Sequence, residues 1–356
     1  MFKLLKISSP GKIILCGEHS VVYGKKALAC SINLRTTLTA SYSLNSKFSL
    51  KLNDLNKLIE FEKDEFMTLR SSCSKNDPDS ILNFLEITET DKIYGSVIFF
   101  ILSQNQLDWS KFCGLSVEVN SEIPLASGLG SSASYATCCS ALFYIISNGS
   151  RNFSTQDLEI INKNAFFIEK IFHGKPSGLD NSVSTYGNFI VFEKGTITQK
   201  FNSATNLNVL ITNSNIPKKT LEQVQKVRYL YEKHTKVVES LMNAIDILVE
   251  DFITHLKESK SEEKLKDLIS INQGLLYSLQ VSNYELNSII NLTQKFGFNS
   301  KITGAGGGGC CITLLDNNNN FENRINNLIS SLIENNFTPF QTKLGCEGIR
   351  VEEFLE

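Results

Sequence analysis

The chain has 356 residues, 42% of them hydrophobic and 20% charged, a composition that excludes a disordered or fibrous protein and leaves room for two separate cores. Its 35 Lys and Arg stand against 37 Asp and Glu, so it lacks the basic excess that a general grip on nucleic acid or an anionic membrane requires. The nine cysteines contain no C-x-x-C, which argues against a zinc ribbon or a thioredoxin-type pair and for small buried hydrophobes in a reducing compartment. Residues 1–10 carry no apolar stretch of signal-peptide length, and the longest strongly apolar run, residues 97–102, is far shorter than a membrane span. The expected setting is cytoplasmic.

In chain order, residues 2–7, 13–16, 27–32 and 36–40 are short β-branched runs that predict strands, with turns at Pro10-Gly11 and Tyr23-Gly24. Residues 45–92 are polar and weakly patterned and predict loops with short elements. Residues 96–103 suit a helix, 115–119 alternate as a strand, and 131–146, rich in Ala, Cys and Leu, predict a buried helix. Leu158, Ile161, Ala165, Ile168 and Phe172 then recur at helical spacing. Composition shifts near residue 206, where a domain boundary is placed between 1–206 and 207–356. A strand at 209–212 precedes a charged amphipathic region, 218–291, that predicts several helices. The mixed charges of 257–267 suit a solvated helix face or connection, and the asparagines at 317–320 a polar loop.

Two glycine-rich segments stand out. The first, IPLASGLGSSAS at 123–134, leads into the helix predicted from 131. Gly128 and Gly130 permit left-handed or closely approaching backbone, and Ser131 and Ser132 stand where serine caps a helix. Such a turn is a phosphate cradle, with free N–H groups and the positive end of a helix dipole, or equally a tight strand-to-helix turn. The second, TGAGGGG at 303–309, formally satisfies G-x-G-x-x-G. It sits before a strand-like segment and after a polar one, so a dinucleotide fold is excluded on context. No G-x-x-x-x-G-K-[ST] is present, so a phosphate binder here belongs to another lineage.

Taken together, PGKIILCGEHSVVYG at 10–24, PLASGLGSSAS at 124–134 and KITGAGGGG at 301–309 resemble, in order and spacing, the three signature segments of the GHMP small-molecule kinases. Within them the pattern is most similar to the mevalonate kinase family. SINLRT at 31–36, NKNAFFIE at 162–169, HGKPSGLDNSVST at 173–185 and LITNSNIPKKT at 210–220 extend the likeness nearly end to end. The departures, at Leu125, Ser127, Ser134 and Lys175, remove no required functional group.

The resemblance implies a two-domain α+β fold. Its N-terminal domain would have the ribosomal protein S5 domain 2-like fold and its C-terminal domain a ferredoxin-like one, with the last residues packing back on the first. It implies ATP and mevalonate as substrates, Mg²⁺ as cofactor, a homodimer, and a step of isoprenoid and sterol precursor synthesis. Ala126, Ser127, Gly128, Leu129, Gly130, Ser131 and Ser132 would wrap the ATP phosphates, with Ser121 nearby. Gly304, Ala305, Gly306 and Gly307 would support that loop. Ser132 and Glu169 would hold Mg²⁺, a hydroxyl and a carboxylate suiting a hard cation. Asp180 would take the proton of the attacking hydroxyl, and Lys12 would neutralise charge beside it and at the ATP phosphate. Glu18 and His19 would line the mevalonate side.

Each residue also has a plainer reading. Glu169 fits a solvent-facing helical carboxylate, Asp180 an Asx-type turn, Lys12 a solvated turn lysine, and Glu18 and His19 a hydrogen-bonded turn. His173, four residues after Glu169, is read as structural at a helix end, since one His and one Glu make no zinc site. His234 and His255 fall in amphipathic helices and are read as ordinary surface or boundary residues, and segment 212–218 is a candidate for the pocket lining. Two alternatives remain beside the kinase: a GHMP kinase for another small alcohol, and a non-catalytic ligand sensor. Presence of Lys12, Ser132, Glu169 and Asp180 together argues against the sensor.

Overall fold

The structure, a computed structural model, describes residues 2–44, 46–65, 67, 92–93, 95–97, 109–204, 207–258, 262–315 and 322–356. The asparagines at 317–320, residues 98–103 of the predicted helix at 96–103, and the boundary residues 205–206 lie outside the described residues.

β1 (Leu4–Cys16) and β2 (Ala27–Tyr42) form the central antiparallel pair. The sequence predicts a turn at Pro10-Gly11, but β1 runs straight through it. Its register against β2 shifts between these two residues, a bulge where proline's missing N–H costs the ladder little. At the second predicted turn, a 3-10 helix (Ser20–Tyr23) ends on Gly24 in the left-handed region. The predicted loop region 45–92 holds β3 (Phe48–Leu52) and β4 (Lys57–Phe61), and β3 pairs in parallel with β5 (Leu115–Ser121). The helices predicted at 131–146 and through 158–172 are α1 (Ser131–Asn148) and α2 (Thr155–His173). A reciprocal capping box between Ser154 and Asp157 starts α2. Then come α3 (Leu179–Tyr186), β6 (Phe189–Glu193), β7 (Thr196–Phe201) and β8 (Leu207–Asn213).

The amphipathic stretch contains α4 (Thr220–Lys233), α5 (Thr235–Glu258), α6 (Glu262–Ser278) and α7 (Tyr284–Lys295). β9 (Ser300–Thr303) and β10 (Cys310–Leu314) pair antiparallel across the second glycine-rich segment. The chain ends with α8 (Glu322–Glu334), β11 (Thr338–Leu344) and β12 (Arg350–Leu355). Among the described residues twelve strands join one sheet, whose main path runs β4-β3-β5-β2-β11-β8-β10-β9. β12 pairs with β1, and β11 bridges β8 to β2, so the last strands return to the N-terminal half.

The two largest apolar clusters cover this sheet. Leu5, Ile7, Leu38, Phe48, Phe61 and Phe143 join α1 and α2 to the first half, whereas Ile211, Met242, Phe252, Leu286 and Ile312 join α5 and α7 to the second. Burying each such side chain contributes about 1.5–3 kcal/mol. Eight described cysteines are free, with Cys138, Cys139, Cys310 and Cys311 buried among these apolar groups. No helix of the described residues is long and apolar enough to cross a membrane.

Candidate active site at the glycine-rich loop

A cleft of about 1260 Å³ opens where β1, the loop 124–130 and the N-termini of α1 and α3 converge. The backbone sets this meeting. Lys12 N–H on β1 donates to the Leu129 carbonyl at 2.8 Å, and a Cβ on Gly11 would stand only 2.8 Å from that same oxygen. Glycine at 11 therefore lets the loop dock on the strand. Ala126, Gly128 and Gly130 all have φ between +56° and +82°. Leu129 plugs its side chain into the core and contributes only backbone to the loop.

The expected serine cap is absent. Gly130 is the N-cap residue of α1, and no side chain caps the helix. Ser132 Oγ instead lies 3.0 Å from His173 Nε2, and Ser127 Oγ donates to the Pro124 carbonyl at 2.6 Å. The first-turn N–H groups of α1, lining the cleft, thus keep their capacity to bind an anion. Ser121 is fixed at the end of β5, its N–H donating to Asp54 Oδ2 at 2.8 Å and its hydroxyl 2.9 Å from that of Thr36.

Lys12 and Asp180 form an ion pair of 3.0 Å; the lysine side chain is 5% exposed and the carboxylate 38%. Asp180 stands in the first turn of α3, whose N-cap, Gly178, has φ +85°. The charge is thus anchored on a buried cation while its carboxylate stays reachable from the cleft.

Glu169, in the last turn of α2, is 2% exposed, and its Oε1 has no hydrogen-bond partner. Burial, followed by the nearby negative Asp180, pushes its carboxyl up to about 8. The solvent-facing reading of Glu169 therefore does not hold. His173 is the last residue of α2, where a helix-end histidine is expected, and its side chain faces Ser132 and stands 3.7 Å from Glu169 Oε2. Among the described residues no group of three or more His, Cys, Asp or Glu side chains is arranged to hold a metal. An orphaned buried carboxylate oxygen beside a hydroxyl fits a hard divalent cation whose other ligands come from a phosphate.

Glu18 and His19 follow β1. Glu18 is 1% exposed, its carboxylate paired with Lys301 Nζ at 2.5 Å and facing Asn272 at 3.5 Å. His19 has φ +62°, and its Nε2–H donates to the Ala305 carbonyl at 2.8 Å. Burial lowers its pKa, disfavouring the charged ring. Gly304, Gly306 and Gly307 all have positive φ, and Gly307 N–H donates to the Val281 carbonyl at 2.8 Å.

Sequence reasoning missed two cleft residues, His173 as a partner of Ser132 and Lys218 between the glycine segments. The candidate lining segment 212–218 contains the second, but nothing in its pattern separates Lys218 from the exposed Lys219 beside it.

Comparison with known proteins agrees with this architecture. The GHMP kinases N terminal domain family matches residues 94–188, and the GHMP kinases C terminal family matches residues 248–334. Mevalonate kinase of Arabidopsis thaliana is 34% identical over 338 residues, covering 85% of this chain and 88% of its own length. The Homo sapiens mevalonate kinase is 31% identical, covering 85% and 84%. Among solved structures, Methanococcus jannaschii mevalonate kinase superposes with a TM-score of 0.77 at 26% identity, covering 97% and 98%. An L. major mevalonate kinase solved in complex with R-mevalonate shares the fold at a TM-score of 0.76 and 21% identity, covering 96% of each chain. On this likeness across nearly the whole chain, the protein belongs to the mevalonate kinase family of the GHMP kinases.

Proposed function

We propose that the protein transfers the γ-phosphoryl group of ATP to the 5-hydroxyl of (R)-mevalonate, giving ADP and 5-phosphomevalonate, in the synthesis of isoprenoid and sterol precursors. The observation that carries this reading is the 3.0 Å Lys12–Asp180 pair at the mouth of an uncapped glycine-rich helix start. Phosphoryl transfer is mostly a matter of alignment and charge stabilisation. The backbone of residues 126–132 and the dipole of α1 receive the phosphates, with Ser121 on the nucleotide side and Gly304, Ala305, Gly306 and Gly307 bracing the loop. Asp180 accepts the hydroxyl proton as that oxygen attacks phosphorus, and the Lys12 ammonium neutralises charge between the two groups.

Ser132 and Glu169 are proposed to hold Mg²⁺, which supplies charge neutralisation and a fixed orientation to the phosphate oxygens. Glu169 would give up its proton to do so, since a carboxylate ligand must be ionised. His19 is proposed to line the mevalonate side, with Glu18 acting through the turn it anchors and not by contact. The division into domains 1–206 and 207–356 is proposed from the change of composition near residue 206, which falls in the stretch between the two family matches. A homodimer is proposed from the family likeness, and the free cysteines support a reducing, cytoplasmic setting.

The test is Mg²⁺-dependent ADP release by purified protein with ATP and mevalonate, alongside galactose, homoserine and phosphomevalonate. Turnover with mevalonate alone is expected. Turnover with another alcohol would move the protein to a different GHMP substrate, and nucleotide binding without turnover would make it a sensor.

A further inference from the structure

Alternate glycines of the loop each make room for a lysine. A Cβ on Gly130 would stand 2.9 Å from Lys12 Cγ, and one on Gly128 would stand 2.7 Å from Lys218 Nζ. A Cβ on Gly304, in the other glycine segment, would also meet Lys218 Nζ at 2.7 Å. The ammonium of Lys218 therefore lies between the second and third signature segments, in space that any side chain at 128 or 304 would take.

The base of Lys218 is held as firmly as its tip. Gly309 N–H donates to the Ile216 carbonyl at 3.0 Å, and Ser214 N–H donates to the Gly309 carbonyl at 2.8 Å. A Cβ on Gly308 would strike the Ile216 carbonyl at 2.7 Å. The turn after β8 is thereby pressed against the glycines, and this turns Lys218 inward. Its neighbour Lys219 is exposed and pairs with Glu222 at 2.9 Å.

The two inward lysines differ in their partners. Lys12 has Asp180, whereas among the described residues no carboxylate forms an ion pair with Lys218. Removal from water, and next the charge of Lys12, push Lys218 down to about 8. A part-buried cation beside a second cation is stabilised by an anion placed between them.

We propose that Lys218 is a second phosphate-directed cation of the transfer site, its ammonium meeting the γ-phosphoryl group from the Gly128 side of the loop while Lys12 meets it from the Gly130 side. The assignment rests on the kinase reading and adds to it a residue that the signature segments do not contain. A contact to the acceptor's carboxylate is less favoured, because both backbone positions against the ammonium are glycines of the loop and its brace.

The test compares AMP, ADP and ATP binding to the full-length wild type and Lys218→Met by calorimetry, with Mg²⁺ and no acceptor. A charged hydrogen bond to the terminal phosphate predicts ATP binding roughly 10- to 100-fold weaker in the variant, with AMP unchanged within about twofold. Lys218→Gln replaces Lys218→Met if the latter does not fold. Equal weakening of all three nucleotides, or no weakening of ATP, overturns the assignment. So does an unchanged ATP affinity with a raised KM for mevalonate, which would place Lys218 on the acceptor. Because the binding comparison needs no acceptor, an ATP-specific loss in a protein that leaves mevalonate untouched keeps Lys218 on the phosphate and discards only the substrate.

Discussion

His19 and Ala305 stand 286 residues apart in the chain, yet the imidazole Nε2–H donates to the Ala305 carbonyl at 2.8 Å. A carbonyl oxygen only accepts, so the tautomer is fixed with the proton on Nε2. The bond ties the segment after β1 to the glycine brace, and it is made by a buried residue held at φ +62°.

That geometry has a pH consequence. Burial lowers the His19 pKa from its ordinary 6.5. Below pH 6.5 the unfolded chain takes up a proton that the folded ring still refuses. Stability therefore falls as the pH drops from 6.5 towards the folded pKa, and the loss levels off below it. His19→Asn, which tolerates a left-handed backbone, should flatten this part of the profile. Urea midpoints measured from pH 5 to 7.5 for both proteins check it, and parallel profiles would exclude His19 as the source.

Removing the proposed base separates chemistry from binding. Asp180→Asn keeps the shape of the side chain and leaves Lys12 with an amide oxygen in place of a carboxylate. The expected loss in kcat is roughly 10²- to 10⁴-fold, with KM for ATP little changed. Lys12→Met should also lower kcat, and it leaves Asp180, 38% exposed, with access to water. Steady-state kinetics with circular dichroism to confirm folding decides the matter, and near-normal kcat in Asp180→Asn would remove the base assignment.

The buried pair behind the cleft should behave quite differently. Lys301 is 0% exposed and Glu18 1%, so deleting one partner leaves the other charged, buried and unpaired. Lys301→Met is expected to destabilise the fold by about 3–5 kcal/mol, whereas the double variant Glu18→Gln/Lys301→Met recovers a large part of the loss. Chemical denaturation of the single and double variants measures this coupling.

Much of this was legible in the sequence, and the failures have local causes. The helix from Ser131 was legible from its length and its Ala, Cys and Leu content, the helix through Leu158 and Phe172 from its apolar periodicity, and both are present. Pro10-Gly11 carried the usual turn residues, but pairing with β2 on one side and a bulge at that point kept the strand running. The serines at 131 and 132 fit a cap by type, yet Gly130 took the cap position and freed Ser132 to face His173. For Glu169 periodicity alone offered a surface carboxylate, because it places a residue on a face without saying what covers that face, whereas the resemblance had already put it in the site. Lys218 fell within the candidate lining segment 212–218 but was not singled out for a related reason, since only the packing of the turn at 214–217 against the glycines distinguishes it from Lys219. The chain order of the three glycine-bearing segments was the durable signal, and their convergence around one cleft depended on sheet pairing that no single segment encodes.

Glycines outside and inside the brace give a final, graded prediction. Gly149, after α1, has φ +72° with nothing within 4 Å of an added Cβ, so Gly149→Ala meets only the left-handed backbone cost of about 1–2 kcal/mol. Gly306 has a similar φ of +76°, but a Cβ there would stand 2.2 Å from the Val281 carbonyl oxygen. Backbone cannot swing aside as a side-chain tip can, and Gly307 N–H already donates to that oxygen at 2.8 Å. Gly306→Ala must therefore displace the brace itself, losing the Val281 bond and carrying with it the Ala305 carbonyl that orients His19. The expected result is a drop in thermal midpoint clearly larger than for Gly149→Ala, accompanied by weaker substrate binding that Gly149→Ala does not show. Thermal melts and KM values of the two variants measured side by side check both parts. Equal midpoints would mean that the brace yields without cost.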